Sequence, residues 1–376
     1  MSPPKIFISS VLILAVVSGI IYLNSQKASR GSNDGGVSVT PRLSQVSEKN
    51  QTVSPEGKRD KETTSIQKSK KYTLAKEITT PDGFINTSAT GSWQAPSITI
   101  GEFVGKKVVL IDFWTYSCIN CQRTTPYLNA WYEKYKDQGL VIIGLHTPEF
   151  EFEKVYQNVL EATQRLGIKY PVVLDNDYST WNAYQNRFWP RKYLIDIDGY
   201  VIYDHIGEGG YEETEQKIQA ALKERMAVLG ENGAINKAVT KEIPIQNGAK
   251  SPETYFGSAR NDQQANLLFP SDSWSITPEF AQNSSPHASI VYTYTAKDVF
   301  FVAEAGTETM VEVLLDGQPL GSEAGADIIK TSDGKSVVKI KEARLYKIIQ
   351  GHQSETHTLK FIPQKSGLKA FTFTFG

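Results

Sequence analysis

The stretch Lys107-Val108-Val109-Leu110-Ile111-Asp112-Phe113-Trp114-Thr115-Tyr116-Ser117-Cys118-Ile119-Asn120-Cys121 decides the fold. Its first eight residues are Lys107 followed by an apolar run of strand length holding one acid, the pattern of a strand buried on both faces. A short loop follows. From Gln122 to Tyr135 the spacing of Leu128, Trp131 and Tyr135 puts them on one helical face, with Pro126 as a kink. Cys118 therefore opens a helix straight after a buried strand. The unpaired N–H groups and positive dipole end found there stabilise a thiolate, which makes Cys118 the expected nucleophile. Cys121, one turn along, is within disulfide reach and is expected to be the buried, resolving thiol.

The pattern repeats outward. Leu140 to Leu145 reads as a second buried strand, Phe150 to Leu166 as a helix and Val172 to Leu174 as a short strand. Lys192 to Asp196 and Tyr200 to His205 flank Ile197-Asp198-Gly199, a hairpin signal in which Asp196 and Asp198 are turn residues. Tyr211 to Leu229 closes the unit as a helix. Alternating strands and helices that end in a hairpin predict an α/β domain over 72–230, with a mixed sheet and helices on both faces. After a polar connector at 231–250, the texture changes to short alternating strands with Asp-Gly turns. Ser289 to Thr295, Val299 to Ala303, Val311 to Leu315, Val337 to Lys341, His357 to Phe361 and Lys369 to Phe375 are examples. They predict an antiparallel β-sandwich over 251–376.

At the other end, Ile6 to Leu23 is an apolar run that would span about 27 Å as a helix, close to the hydrocarbon thickness of a bilayer. A signal anchor over 1–23 is expected, with a cleaved signal peptide as the alternative. Residues 24–71 hold ten Lys/Arg against five Asp/Glu and hardly any aliphatic side chains, so a disordered linker is expected. With the long polar continuation exported, the folded domains are expected on the extracytoplasmic (periplasmic or extracellular) side of a membrane.

Composition narrows the chemistry. The formal net charge is −1, so no global field recruits nucleic acid. The chain has two cysteines, both in the Cys-x-x-Cys pair, and an exported protein with structural disulfides usually carries more. A structural zinc site would need two further Cys or His ligands, and none of the five histidines lies near the pair in sequence. The pair is therefore read as a redox device. No metal and no cofactor beyond a Cys118–Cys121 disulfide is expected.

Phe113-Trp114 before the pair, Asp112 inside the strand and Pro126 five residues after Cys121 resemble the thioredoxin superfamily, as does Trp189-Pro190 ahead of a strand. The string from Phe113 to Cys121, then His146-Thr147-Pro148-Glu149-Phe150, is similar to the soluble part of DipZ-type proteins, which group with the TlpA/ResA-like thioredoxins. Ser251-Pro252-Glu253-Thr254-Tyr255 and the terminal Phe371 to Gly376 also look like that group, whose C-terminal domain is a carbohydrate-binding-module-like jelly roll. The resemblance implies a thioredoxin fold and disulfide exchange on exported proteins that carry disulfides, and together with the membrane, across which electrons must be supplied, it sets the reducing direction as the expectation. It implies that Pro190, if cis, presents the backbone of Trp189 to substrate. Asp112 would lie beneath Cys121 for proton transfer, and Trp114 would pack beside the pair. For Asp112 the competing reading is an acid paired with Lys106 or Lys107. DipZ-type proteins carry a multi-span CcdA-like domain, and this chain shows one apolar run. A separate membrane electron donor, like CcdA or DsbD, is therefore expected. Ile119-Asn120 stands where thioredoxin has Gly-Pro, and Ser117 replaces its tryptophan, so redox direction does not carry over from thioredoxin itself.

Three rival readings stay open. Thr115, three residues before Cys118, fits a peroxiredoxin-like peroxidase, although position 111 is Ile where that motif has proline. Copper delivery of the Sco type would use the thiolates with His146 as a third ligand, although those proteins use a longer spacing. The aromatic residues Tyr255, Phe256, Trp274, Tyr292, Tyr294 and Tyr346 could stack on sugar rings of a cell-wall glycan, or simply fill a core. His146 and Glu149 follow a strand C-terminus, the edge where α/β sites gather.

Overall fold

The computed structural model describes residues 67–87, 97–240, 249–260 and 264–376. The expected signal anchor and nearly all of the linker lie outside the described residues. No helix among the described residues is long and apolar enough to cross a membrane.

The first domain is built on a seven-stranded sheet. Its strands are β1 (Thr73–Leu74), β2 (Gly83–Ile85), β3 (Val108–Trp114), β4 (Leu140–His146), β5 (Val172–Leu174), β6 (Arg191–Ile195) and β7 (Tyr200–Ile206), in the order β1-β7-β6-β3-β4-β5-β2. β3 runs parallel to β4 and antiparallel to β6, so it is central, and all seven of its residues are buried. Its side chains alternate between two cores. Val108, Leu110 and Trp114 join one cluster with Cys121, and Val109, Ile111 and Phe113 join the other. Asp112 shares the parity of the first set, so it points to the side of Cys121.

The helices are α1 (Ile119–Tyr135), α2 (Tyr156–Arg165), α3 (Ser179–Ala183) and α4 (Tyr211–Leu229). Residues of α1, α2 and α4 all pack into the first cluster. The expectation of helices on both faces holds only through the five-residue α3, whose Trp181 enters the second cluster beside Ile78, Ile98 and Ile100. The predicted helix from Phe150 is broken at Val155. A 3-10 turn, Glu151–Lys154, precedes α2 because the Glu153 side chain folds back onto the chain. The connector is strapped down over its described part. Val239 and Thr240 donate their N–H groups to Glu215, and Trp131 Nε1 donates to Thr240 Oγ1.

The second domain is all β. Its strands are β8 (Thr254–Tyr255), β9 (Leu268–Phe269), β10 (Trp274–Ile276), β11 (Ala281–Asn283), β12 (Ser289–Ala305), β13 (Thr309–Leu315), β14 (Gln318–Pro319), β15 (Ile328–Lys330), β16 (Ser336–Ile340), β17 (Arg344–Pro363) and β18 (Leu368–Phe375). Hydrogen bonding is continuous through all eleven. The reason lies in the two long strands. Ser289–Thr295 and Val299–Ala303, expected as separate strands, are one strand of 17 residues paired with the 20 residues of β17. Register shifts at Ala296/Asp298 and Val299/Phe300 let this ladder bend without breaking.

The bulges also set which way side chains face. Val299, Phe301 and Ala303 of β12 point into the domain's own core, while Phe300 and Val302 point out. In β18 the pairing passes from Thr372 to Ala370 across from Val302 and Ala303, leaving Phe371 as the extra residue. Phe371 turns outward, although Phe373 two residues on faces the core. Phe300, Val302, Leu345 and Phe371 then form one buried cluster with Ile119 and Phe150 of the first domain. Burying an aromatic side chain of this kind contributes about 2–3 kcal/mol, and four aromatic pairs within 6.4 Å link Phe150 and Phe152 to Tyr255 and Phe371 or to each other. The two domains therefore share a core at the first turn of α1.

Candidate functional site

β3 delivers the chain to the sheet edge at Trp114, and Cys118 caps α1 with extended backbone (φ −77°, ψ 120°). Its sulfur accepts the N–H of Cys121 at 3.4 Å. Cys118 is half-buried and Cys121 is buried, 2% exposed, with both sulfurs unlinked. The asymmetry expected from the spacing is present in the structure. Burial pushes the Cys121 thiol well above its ordinary value, and the adjoining Cys118 and Asp112 push it the same way.

Asp112 lies in the buried layer on the Cys121 side of β3, 2% exposed. Burial raises its carboxyl to about 7 against the pull of Lys192. Its Oδ1 has no hydrogen-bond partner among the described residues. Lys192 stands directly across from it on β6. It is fully buried, and its ammonium donates to Gly207 O at 3.1 Å. Burial lowers the Lys192 pKa, and the charge of Asp112 opposes this. The lysine beside Asp112 is thus neither Lys106 nor Lys107, which precede β3 at its far end. Sequence alone does not single out Lys192, because a lysine in a strand is ordinarily a solvated one. The available signal was its position in the run Lys192-Tyr193-Leu194-Ile195, in a hairpin that must cover β3.

Trp189-Pro190 is a cis peptide, and Pro190 is buried. Trp189 is half-buried, donates Nε1 to Thr147 O at 3.0 Å and packs on Trp181 with ring centroids 4.3 Å apart. Trp114 does not reach the cleft. It is 2% exposed in the core with Cys121, its edge against His146. It supports the pair from behind and has no surface to offer a substrate. His146 is buried and stacks on Tyr116, with Nε2 3.5 Å from Thr115 Oγ1. Burial pushes its pKa down to about 3, so the ring is neutral. It faces Thr115 and Tyr116 instead of completing a copper site. The Thr115 hydroxyl lies between His146 and Glu153. Among the described residues the one cluster of three potential metal ligands is Asp196, Asp198 and Glu224, and Lys68 Nζ lies 2.6 Å from a carboxylate oxygen of each.

Glu153 is the second residue that the sequence did not disclose. It is fully buried, and each carboxylate oxygen accepts two hydrogen bonds. Oε1 takes Ser117 Oγ (2.6 Å) and Ser117 N (3.2 Å); Oε2 takes Glu149 N (2.6 Å) and Phe150 N (3.0 Å). One side chain thus ties Ser117, the residue before Cys118, to the 149–153 turn. Burial, with Glu149 nearby, raises its carboxyl to about 7, against the bonds from Ser117. Glu149 in turn accepts from Tyr255 Oη (2.7 Å) and from Arg260 of the second domain. Tyr116 Oη donates to Ala343 O at 3.1 Å. The cysteine loop is therefore tied to the β-domain directly through Tyr116 and, by way of Glu153 and Glu149, through Ser117.

In front of Cys118 lies a cleft of about 340 Å³. Its floor is Cys118, Ile119 and Asn120, one wall is Arg187 to Trp189, and the other includes Glu253, Tyr255 and Arg260 of the β-domain. Of the aromatic residues considered for sugar stacking, Phe256, Trp274, Tyr294 and Tyr346 belong to the β-domain core and Tyr292 packs against it. Tyr255 belongs to the redox cleft.

Comparison with known proteins agrees with this geometry. Residues 92–222 match the Redoxin family, and residues 270–376 match the family described as thioredoxin like C-terminal domain. Protein DipZ of Mycobacterium tuberculosis is 37% identical over 290 residues, covering 72% of this chain and 39% of that protein. The chain thus spans about two fifths of the length of the DipZ proteins it matches. Thiol-disulfide oxidoreductase YkuV of Bacillus subtilis is 28% identical over 133 residues, 35% of this chain and 89% of that one. Thiol-disulfide oxidoreductase ResA of Bacillus thuringiensis is 30% identical over 139 residues, 35% of this chain and 75% of that one. With its cysteine pair on a thioredoxin-like domain and this set of relatives, the chain belongs to the thioredoxin-like thiol–disulfide oxidoreductase family.

Proposed function

We propose that the protein exchanges disulfides with exported proteins, in the reducing direction, from a membrane-tethered position outside the cytoplasm. The observation that carries the chemistry is the contrast within the pair: Cys118 caps a helix at the floor of an open cleft, and Cys121 is buried one turn behind it. The Cys118 thiolate attacks one sulfur of a substrate disulfide, forming a mixed disulfide and releasing the first substrate thiolate. Cys121 then attacks the Cys118 sulfur. The Cys118–Cys121 disulfide forms, the second substrate thiolate leaves, and two electrons have passed to the substrate. Cys121 must lose its proton for that step, and Asp112 with a carboxyl near 7 is the adjacent base. Trp189, ahead of Pro190, offers the wall along which the substrate chain lies. No cofactor takes part beyond the disulfide itself.

The apolar run Ile6 to Leu23 and the polar stretch behind it support the tethered, extracytoplasmic placement. A dithiol protein of the membrane, like CcdA or DsbD, would return the electrons. The test is to replace Cys121 with Ala, trap mixed disulfides on Cys118 in cells and identify the partners in the membrane fraction. Exported proteins with paired cysteines are the expected catch, and an empty trap would end the reading. A measured potential near that of strong oxidants, about −120 mV, would reverse the direction.

A glycan partner for the β-domain has one observation in its favour. A second cavity, of about 350 Å³, is lined by Tyr294, whose buried hydroxyl has no partner among the described residues, with His352, His357 and Glu323. Retention of the full chain on peptidoglycan would support it, and free passage would remove it.

A further inference from the structure

The cleft wall opposite Arg187 to Trp189 is not supplied by the thioredoxin-like domain alone. Glu149 comes from it, and Glu253, Tyr255 and Arg260 come from the β-domain. The charges of this wall do not balance. Glu149 is engaged by Arg260 and by the Tyr255 hydroxyl. Arg260 is further fixed over the Tyr255 ring, 4.8 Å from its centroid. That leaves Glu253 as a second carboxylate with no ion pair among the described residues: burial and the charge of Glu149 raise its carboxyl to about 7, against Tyr255 and the more distant pull of Arg260. Above that pH the wall carries one net negative charge beside the Cys118 sulfur. Arg187, exposed on the facing wall, has no ion-pair partner among the described residues.

The cleft volume, about 340 Å³, is that of a few residues of extended chain. A cysteine on the convex surface of a folded domain would have to push its neighbours between the two walls to reach Cys118. A disulfide in an extended segment can enter lengthwise. We infer that the β-domain is the specificity-determining half of this active site, selecting disulfides in extended peptide segments whose cysteine is flanked by a basic side chain that faces Glu253. This rests on the disulfide exchange at Cys118 proposed above. Rim charges of this kind act chiefly on encounter and are weakened by salt.

The test uses the full chain, pre-reduced, in single-turnover reactions at pH 8, where the wall carboxyls are ionised. Two linear peptides each carry one cysteine as a mixed disulfide with a chromophoric aryl thiol, and differ only in having Lys or Glu beside it. Attack on the peptide sulfur joins it to Cys118 and releases the aryl thiolate, which is followed by absorbance. The Lys peptide should react about threefold faster at low salt, the size expected of one exposed charge pair. The preference should fall toward one in Glu253→Gln and in high salt, and invert in Glu253→Lys. Arg187→Glu should enlarge it. A wild-type ratio of one, or a ratio that Glu253→Lys leaves unchanged, would overturn the inference while leaving disulfide exchange intact. Release of no aryl thiolate from either peptide would instead sink the exchange reading. Because each protein is compared with itself on two peptides, a partly misfolded variant lowers both rates and leaves the ratio readable.

Discussion

At the residue scale, the site turns on two buried carboxyls held near 7 by different surroundings. Asp112 has little hydrogen bonding and one buried cation across the sheet. Its raised carboxyl favours the protonated form in the folded state. As pH rises from the unfolded value of about 3.9 to the folded value of about 7, the unfolded chain ionises first and stability is lost. Asp112→Asn removes that loss. The variant should match wild type near pH 4 and gain on it up to pH 7, reaching about 2–4 kcal/mol above that, with Lys192 left uncompensated as the main offset. Thermal unfolding at pH 4, 6 and 8 checks this, and a constant difference across the three would refute the assignment. The same variant should slow release of the mixed disulfide while leaving the first attack nearly unchanged. Glu153 is the opposite case, because four donors already surround it. In Glu153→Gln an NH₂ group must face either the Glu149 and Phe150 N–H groups or, with the Ser117 hydroxyl turned to accept, the Ser117 N–H alone, so the isostere should cost about 1–3 kcal/mol. Reaction at Cys118 should slow with it, since Ser117 loses its anchor. Denaturant unfolding and alkylation kinetics measured together would show whether the two effects travel together.

At the element scale, much of the site was legible. A β-branched run before Cys118 forces a central strand, and Cys-x-x-Cys spacing on the following helix fixes which sulfur is inside. The hidden parts are those in which an ordinary pattern carries a second meaning. Lys192 and Glu153 look like surface residues of a strand and of an amphipathic turn, and only tertiary packing makes them buried. Val299 to Ala303 is apolar at every position, which signals a strand covered on both faces. That signal was present and pointed to a second partner surface, here the first turn of α1. The outward turn of Phe371 could not be read, because a bulge breaks the alternation on which such reading depends. Phe371 is 2% exposed and touches Phe150, Phe152 and Phe280. Phe371→Ala should cost about 3–5 kcal/mol. Because the lost contacts lie between the domains, a single calorimetric transition in wild type should split into two in the variant. A single transition at lower temperature would mean that the cluster stabilises one domain only.

At the scale of the whole molecule, the β-domain is less an appendage than the missing side of the redox domain. A thioredoxin-like domain whose redox face were meant to stand alone would have no reason to present Ile119, Phe150 and Phe152 around its cysteine loop. Here these three are covered by Phe300, Val302, Leu345 and Phe371, and the loop's own Tyr116 hydroxyl is satisfied by a carbonyl of the partner domain. A chain ending at residue 248 would expose that apolar patch beside Cys118 and leave Glu149 without Arg260 and Tyr255. Exposed patches of this kind drive association, so the shortened chain should self-associate at micromolar concentration, bind a hydrophobic dye and lose discrimination between peptide substrates while still reducing small disulfides. Light scattering and single-turnover rates on the shortened and full chains make the comparison. A monomeric shortened chain with unchanged selectivity would show that the redox face needs no cover, and that the β-domain's contribution lies elsewhere, as at the cavity around Tyr294.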